Sequence, residues 1–469
     1  MAKIVILGAG VCGLAAGILL ARDGHDVTVL EGDPEPVPDA ADQAWATWSR
    51  GGVVQFRQPH YLQTRCRHLL DVELPDVRDA LLAAGAVLFD TLSLTPPSLA
   101  ALEARAGDER FVTITARRST LEQVVARATE AQPRLEVRRG VAGTGLVTRI
   151  LDGIPHVTGV RTEPDAELRA ELVVDAMGRR SPLAGWLRDA GAGPMYEEAE
   201  DSGFTYYTRF FRSSDHGQPQ PRGRLLTPIG SFSILTLPGD NDTWSVTLFS
   251  SSRDQPLKQL RDPDRWTSVV KACPLQAHWL DGQPITGVLP MAGVIDRCRR
   301  LVVDGRPVAT GVAAVADAWA CTNPSLGRGI ALGFAHAVCL RDVARTELGD
   351  PQGFAAAWDA TTEAELTPWY RGTVDLDRAR LAEIDALRAG LEPPRPQDPR
   401  AVLGAALPLA MVHDAEVFRA FLEIMGCLTL PQEVFARPGM VDRVLKAAGQ
   451  GDVPPPPGPT RQELLGLLA

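Results

Sequence analysis

The N-terminal stretch KIVILGAGVCGLAAGILLARDGHDVTVLEGD constrains the fold more than any other part of the chain. It contains, in order, the apolar run Ile4–Leu7, the GxGxxG glycines Gly8, Gly10 and Gly13, the helical segment Cys12–Arg22, the apolar run Val27–Leu30 and the acid Glu31. An uninterrupted apolar run is typical of a strand that is buried on both faces. This order predicts a strand–helix–strand unit of a parallel, Rossmann-type α/β sheet.

Each glycine of this motif has a separate physical reason. Gly8 allows a tight turn, Gly10 lets a pyrophosphate approach the backbone, and Gly13 lets the helix lie close to the strand. The helix N-terminus, where Cys12 lies, offers free N–H groups to the phosphates. Glu31 can accept hydrogen bonds from ribose hydroxyls and would repel a 2′-phosphate, so the motif favours FAD or NAD over NADP.

Composition excludes several classes of protein. The chain has 469 residues and a net charge of −10, which argues against a nucleic-acid binder with a basic face. It contains no run of about 18 apolar residues and therefore no predicted membrane span. Its seven cysteines are scattered, with no spacing typical of a metal site, so we expect a reduced, cytoplasmic protein without a bound metal.

Changes in amino-acid composition and apolar pattern along the chain predict three regions. We assign residues 1–80, 110–185 and 290–345 to a discontinuous FAD-binding domain and residues 81–109 and 186–289 to an inserted substrate domain. Residues 135–174 resemble a small β-meander, with a hairpin at Asp152-Gly153, that leads into a buried strand at Leu172–Val174. Residues 346–469 have helical composition.

The predicted substrate domain is rich in aromatic β-segments between residues 204 and 251. Strand alternation places Tyr206 and Phe210 on one face of a sheet and Tyr207 and Phe211 on the other. Most such aromatics form core, and a minority line ligand pockets. We take Tyr206, Phe210 and Phe232 as candidate substrate-contacting residues.

A second glycine-rich turn, AVADAWACTNPSLGRGIALGF, starts at Ala314. Asp317 follows an apolar strand, so its side chain is expected at the carboxyl edge of a sheet, where ligands bind in open α/β folds. Pro324 stiffens the loop, while Gly327 and Gly329 let the backbone approach a flat ligand. The helix that begins near Gly329 stabilises negative charge, which a reduced flavin carries. Two such turns therefore favour FAD over NAD.

These motifs together resemble the FAD-dependent monooxygenases of the p-hydroxybenzoate hydroxylase fold, over residues 4–345. By this resemblance, Arg50 precedes the loop beside the isoalloxazine, which includes Val53. Arg118 is implied to contact FAD from the start of a helix. Asp317 is implied to bind the ribityl chain, and Pro324–Gly329 to hold the flavin ring. The segment GGVVQFRQPH is also similar to flavin epoxidases of polyether biosynthesis.

Two departures from the family pattern bear on its chemistry. Ala316 replaces the glycine of the family's "GD" pair. Met177 stands where the acid of a mid-chain "DG" pair is expected, with Asp175 two residues earlier. That segment serves both FAD and NAD(P)H in the hydroxylases. The electron source could therefore be NAD(P)H or a separate flavin reductase.

The resemblance implies that one oxygen atom of O2 is transferred, through a flavin hydroperoxide, to a small organic substrate by hydroxylation or epoxidation. FAD performs this chemistry, so we assign no catalytic side chain. A reductase or dehydrogenase of the same fold, a halogenase and a non-catalytic FAD-binding protein remain alternatives. The halogenase pattern WxWxIP is absent.

Some polar residues are expected to be structural. We interpret His60 as a packing histidine and Cys321 as a small buried residue. The cluster Arg297, Arg299 and Arg300 is expected to lie on a solvated surface.

Overall fold

The computed structural model describes residues 1–99, 102–163, 166–213, 217–450 and 454–469. In chain order, its strands are β1 (Lys3–Leu7), β2 (Asp26–Glu31), β3 (Val87–Asp90), β4 (Val112–Thr115), β5 (Leu135–Arg139), β6 (Gly143–Leu151), β7 (Ile154–Thr162), β8 (Ala166–Arg169), β9 (Leu172–Asp175), β10 (Tyr196–Asp201), β11 (Phe204–Arg212), β12 (Leu226–Ile229), β13 (Phe232–Pro238), β14 (Thr243–Ser251), β15 (Gln283–Pro284), β16 (Leu289–Met291), β17 (Ile295–Arg300), β18 (Val302–Val303), β19 (Arg306–Pro307), β20 (Val312–Ala314) and β21 (Ala320–Cys321).

The helices, again in chain order, are α1 (Val11–Arg22), α2 (Ala41–Thr47), α3 (Thr64–Glu73), α4 (Pro75–Ala83), α5 (Arg118–Glu130), α6 (Leu183–Asp189), α7 (Pro263–Lys271), α8 (Gly329–Glu347), α9 (Pro351–Glu365), α10 (Thr367–Arg388), α11 (Pro399–Ala410), α12 (Ala415–Met425), α13 (Pro431–Phe435), α14 (Met440–Ala448) and α15 (Arg461–Leu468).

The predicted nucleotide-binding unit forms as expected. A parallel sheet has the strand order β20-β9-β1-β2-β5, and α1 connects β1 to β2. Its central strands are buried on both faces, which explains why their sequences are continuously apolar. Helix α8, which follows the second glycine-rich turn, packs directly against α1. The predicted α/β fold is therefore confirmed.

The meander predicted over residues 135–174 is only partly correct. Leu135 pairs with Val27, so β5 joins the parallel sheet as its edge strand. Strands β6, β7 and β8 form the small antiparallel sheet, and β9 returns to the parallel sheet beside β1. The predicted hairpin is present: Asp152 and Gly153 both have a left-handed backbone, as a tight two-residue turn requires.

The inserted antiparallel sheet has the order β12-β13-β14-β11-β15, with β16 pairing against β11. Its faces alternate as predicted. Tyr207 and Phe211 pack on the outer face with Trp266 of α7 and Leu464 of α15. Tyr206 lies on the opposite, inner face, in a cluster with Phe249 and with Ile384 of α10.

The region after residue 346 is helical, as expected. Helices α11, α12 and α14 share a core around Phe418 that also takes in Phe111. Among the described residues, no single helix is long and apolar enough to cross a membrane. Within the same described ranges, α11 and α12 taken together, with a bend of 119° between them, would be long and apolar enough.

The arginine cluster on β17 is not the solvated surface that we expected. Arg299 is buried and donates to Glu197 of β10 at 2.7 Å. Arg300 forms ion pairs with Asp359 at 2.7 Å and Glu363 at 3.2 Å, both on α9. The guanidinium groups therefore connect β17 to its neighbours. The sequence pattern did not reveal this, because the partner carboxylates come from distant segments of the chain.

Candidate functional site

A cavity of about 420 Å³ lies where both glycine-rich turns meet the carboxyl edge of the parallel sheet. Every residue predicted to bind the cofactor lines it: Gly8, Gly10, Cys12, Gly13, Glu31, Arg50, Val53, Arg118, Asp317, Pro324, Gly327 and Gly329. These residues are separated by more than 300 positions, and the parallel sheet brings them together because its strand ends share one edge.

The geometry of the first turn agrees with the role given to each glycine. Gly8 has a φ of +100°, and a Cβ there would lie 2.7 Å from the Ala176 carbonyl oxygen. A Cβ on Gly13 would lie 2.3 Å from the Gly8 carbonyl oxygen, so only glycine allows α1 to approach β1 this closely. A Cβ on Gly10 would meet no atom within 4 Å, and this residue therefore faces open space at the N-terminus of α1.

Glu31 and Arg50 form a buried pair at one end of the cavity. Glu31 Oε2 accepts hydrogen bonds from the Ala9 N–H at 3.1 Å and from Arg50 Nη2 at 2.8 Å. Its Oε1 accepts one from the Asp33 N–H at 3.0 Å. A carboxylate can accept about four hydrogen bonds, so Glu31 retains capacity for a ribose hydroxyl.

Arg50 also retains hydrogen-bonding capacity. Its side chain is only 1% exposed, and within the described residues its Nε and Nη1 groups have no hydrogen-bond partner. Asp33 Oδ2 lies 3.5 Å from Arg50 Nε and Glu122 Oε2 lies 3.7 Å from Arg50 Nη1, and both are ion pairs without a hydrogen bond. Buried, unpartnered N–H groups are costly and suit an anion. Together with the open space at Gly10, they fit the pyrophosphate of a dinucleotide.

Arg118 is fixed from two sides at the start of α5. It pairs with Glu122 one helical turn later at 2.6 Å, and its Nη1 lies 3.4 Å from His60 Nε2. His60 Nδ1 lies 2.9 Å from the Gln58 carbonyl oxygen, to which it donates. Burial and the neighbouring Arg118 charge lower the pKa of His60 to about 3, so the ring is neutral and orients Arg118. Glu122 was missed from the sequence, although a charged residue on the buried face of a helix is a usable signal.

The second turn presents Asp317 to the cavity. Ala316, which precedes it, has a left-handed backbone with φ +50°. Burial raises the pKa of Asp317, and the positive charges of Arg118 and Arg179 oppose this rise. Gly327 has a φ of +63°, and a Cβ there would lie 3.1 Å from the Tyr61 Cβ, so the loop needs glycine at this point.

The structure shows how Met177 and Asp175 are arranged at the mid-chain departure from the family pattern. Met177 lines the cavity, where the family pattern would place an acid. Asp175 does not replace that acid, because its carboxylate turns inward and accepts hydrogen bonds from the Met177 N–H and the Ser181 hydroxyl. Burial raises the pKa of Asp175 to about 6. This segment therefore presents no carboxylate to the cavity.

The three candidate substrate residues do not line this cavity. Tyr206 donates its hydroxyl to Asn323 Oδ1 at 2.6 Å, which joins the inner face of the inserted sheet to the second turn. Phe210 packs against Trp45 with ring centroids 4.9 Å apart. Phe232 is buried in the core on the outer face, away from Tyr206, and its contact with a substrate stays a prediction.

A buried polar cluster behind the second turn was not predicted. Asn323 donates its backbone N–H to Asp296 at 2.5 Å, and Ser325 donates its hydroxyl to Asp377 of α10 at 2.6 Å. Burial raises the pKa of Asp377 to about 7 and that of Asp296 to about 6. Asp377 lies 52 residues beyond Ser325, so no local pattern connects the two. No group of metal-ligating side chains is found within the described ranges.

Comparisons with known proteins agree with this architecture. The NAD(P)-binding Rossmann-like domain family matches residues 6–68. Protein Rv3254 of Mycobacterium tuberculosis is 26% identical over 395 residues, which is 79% of each chain.

Two solved structures extend the likeness over most of the chain. PqsL of Pseudomonas aeruginosa, described as a probable FAD-dependent monooxygenase, has a TM-score of 0.60 at 18% identity and covers 83% of this chain and 98% of its own. The flavin-dependent brominase Bmp2 has a TM-score of 0.59 at 16% identity and covers 94% and 98%. The protein therefore has the fold of the FAD-dependent monooxygenases and flavin-dependent halogenases, which confirms the fold predicted from its sequence.

Proposed function

We propose that this protein is an FAD-dependent monooxygenase that transfers one oxygen atom of O2 to a small organic substrate, by hydroxylation or epoxidation. The observation that carries the proposal is the convergence of two glycine-rich turns, each followed by a helix N-terminus, on one cavity. An extended dinucleotide with a flavin at one end needs both turns, whereas NAD alone needs only the first.

The first half of the cavity would hold the adenosine and pyrophosphate portions. The N-terminus of α1 and the open space at Gly10 would receive the pyrophosphate. The N–H groups of Arg50 that make no hydrogen bond would donate to its oxygens. Glu31 would accept a hydrogen bond from the ribose, since one acceptor position on its carboxylate is unused.

The second half of the cavity would hold the ribityl chain and the ring. Asp317 would accept hydrogen bonds from ribityl hydroxyls, and the N-terminus of α8 would stabilise negative charge on the ring. The cofactor itself supplies the electron transfer and the reaction with O2. The protein would orient the cofactor. The neutral ring of His60 would hold the positive charge of Arg118 in place beside it, and His60 would not take up a proton near neutral pH.

The segment at Met177 supports a proposal for the electron source. Because no carboxylate from this segment faces the cavity, we expect a separate flavin reductase to supply reduced FAD more effectively than direct NAD(P)H. The test compares FAD reduction by NADH or NADPH with the transfer of reduced FAD from an added reductase. Rapid direct reduction by either nicotinamide would contradict this part of the proposal.

The reaction type is tested with isotopically labelled oxygen. Purified protein with FAD and a flavin reductase is incubated with ¹⁸O₂ and a panel of aromatic and alkene substrates, and the products are analysed by mass spectrometry. Incorporation of one labelled atom supports the proposal. Halide-dependent products would instead favour the halogenase alternative, which the likeness to Bmp2 keeps open. A change of two hydrogens without labelled oxygen would favour a reductase.

Asp317→Ala is expected to weaken FAD binding while the protein stays folded. A hydrogen bond to a charged group contributes about 1.5–3 kcal/mol, which corresponds to roughly 10- to 100-fold in affinity. The measurement is the Kd for FAD by flavin fluorescence, with the unfolding temperature of the apoprotein as the control. Unchanged flavin affinity would show that Asp317 does not bind the cofactor.

A further inference from the structure

Ala316 has an unfavourable backbone conformation at a position where the turn controls the site. Its φ of +50° lies in the left-handed region, in which a Cβ crowds the following carbonyl oxygen. The family pattern has glycine here, which adopts this conformation without penalty. Residue 317 follows directly, so the direction of the Asp317 side chain depends on the turn at Ala316. The chain must therefore stabilise this turn by other contacts.

His336 of α8 provides one such contact. The Ala316 N–H donates a hydrogen bond to His336 Nδ1 at 3.1 Å. Because Nδ1 accepts, the ring proton lies on Nε2, which is 3.1 Å from the Thr362 hydroxyl and donates to it. The ring stacks on Trp358 at 4.4 Å and meets the edge of Trp319 at 5.0 Å.

Its surroundings keep the His336 ring neutral, with its proton on Nε2. Its side chain is 1% exposed, and burial lowers its pKa to about 3, so Nδ1 stays an acceptor at neutral pH. Gly333, one turn earlier on α8, leaves room mainly for Cys12, whose Sγ a Cβ at this position would overlap, and also for the alanine side chain, since the same Cβ would lie 3.3 Å from the Ala316 Cβ. One face of α8 thus supplies both the space for Ala316 and the acceptor for its N–H.

We propose that His336 is a positioning residue that holds the left-handed turn at Ala316 and thereby directs Asp317 into the cofactor cavity. The inference rests on the proposed function, because Asp317 is taken to bind FAD. If His336 only filled the core, it would stabilise the protein through its stacked ring alone. If His336 positions the turn, it acts through the hydrogen bond that its Nδ1 accepts. Its effect on FAD binding and on stability should then be smaller when residue 316 is glycine, which adopts the left-handed conformation without strain.

The test combines two substitutions at His336 with Ala316→Gly. His336→Phe keeps a ring between the tryptophans and removes the acceptor, whereas His336→Asn keeps an acceptor at the δ position and removes the ring. The Kd for FAD is measured by fluorescence titration for each variant in both backgrounds. We expect His336→Phe to weaken FAD binding about 10-fold in the wild-type background and less than about 3-fold in the Ala316→Gly background. His336→Asn should bind FAD more tightly than His336→Phe.

Equal losses from His336→Phe in both backgrounds would overturn the inference, as would weaker FAD binding by His336→Asn than by His336→Phe. The unfolding midpoints of the same apoproteins provide a readout that does not depend on FAD. His336→Phe should lower the midpoint more in the wild-type background than in the Ala316→Gly background, and equal lowering would contradict the role at the turn. If the wild-type protein binds no FAD, the proposed function fails, while the coupling in the midpoints still tests the turn.

Discussion

Gly10→Ala is expected to give a folded protein that binds FAD roughly 10- to 100-fold more weakly than the wild type. The backbone of Gly10 has φ −75° and ψ 166°, which any residue adopts, and the added Cβ meets no protein atom within 4 Å. It would instead occupy the space that the pyrophosphate needs, and such an overlap costs about 1–3 kcal/mol. Fluorescence titration measures the affinity, and denaturant unfolding of the apoprotein should change by less than about 1 kcal/mol.

Gly13→Ala is the matched control on the same helix. Its Cβ would lie 2.3 Å from the Gly8 carbonyl oxygen and 3.0 Å from the Ala176 Cβ, so the backbone must move. We expect a loss of about 3 kcal/mol or more in unfolding free energy. If Gly10→Ala lost stability to the same extent, or kept its full FAD affinity, the assignment of the pyrophosphate site would be wrong.

Asp377→Asn is expected to change the pH dependence of stability. Burial raises the pKa of Asp377 to about 7 from an ordinary value of 3.8. Between about pH 4 and pH 7 the folded protein therefore keeps a proton that the unfolded chain has released, and stability falls as pH rises through this range. The asparagine variant has no such group. Because the pKa rises by about three units, each worth about 1.4 kcal/mol, the variant should gain roughly 4 kcal/mol over the wild type at pH 8 and little at pH 4.

Denaturant unfolding at pH 5 and pH 8, with saturating FAD, measures this effect. Asp296, whose pKa burial also raises to about 6, and Arg328 both face Asp377 and are unchanged in the variant. Asp375→Asn is the control, because Asp375 lies on the same helix but its side chain is 74% exposed. If Asp377→Asn and Asp375→Asn had the same pH dependence, Asp377 would not be the group that titrates.

The cofactor contacts that we propose come from local patterns in the sequence. The motif at Gly8–Gly13 and the turn at Asp317–Gly329 each contain a strand, a glycine-rich turn and a helix, so their geometry depends on neighbours within about 20 residues. The strand alternation at Tyr206 and Tyr207 was equally local. The structure brings all twelve of these residues to one cavity.

Contacts between distant segments were not predicted. Arg299 and Arg300 resembled surface residues because Glu197 and Asp359, their partners, come from other elements. The sequence did not show which face of the inserted sheet Phe232 lies on, and the structure places it in the outer core with Tyr207. Asp377 lies on a helix that has no motif, and it became relevant only through its hydrogen bond to Ser325.

The sequence by itself determined the parallel sheet and the two glycine-rich turns, because these depend on local backbone geometry and on the period of apolar residues. The proposal of a flavin dinucleotide rests on the same local features. The tertiary structure decided how the departures from the family pattern are accommodated. His336 contacts Ala316 from 20 residues away, and Asp175 turns inward below Met177. Such compensation depends on which side chains meet across packed elements, and this is fixed only when the whole chain has folded.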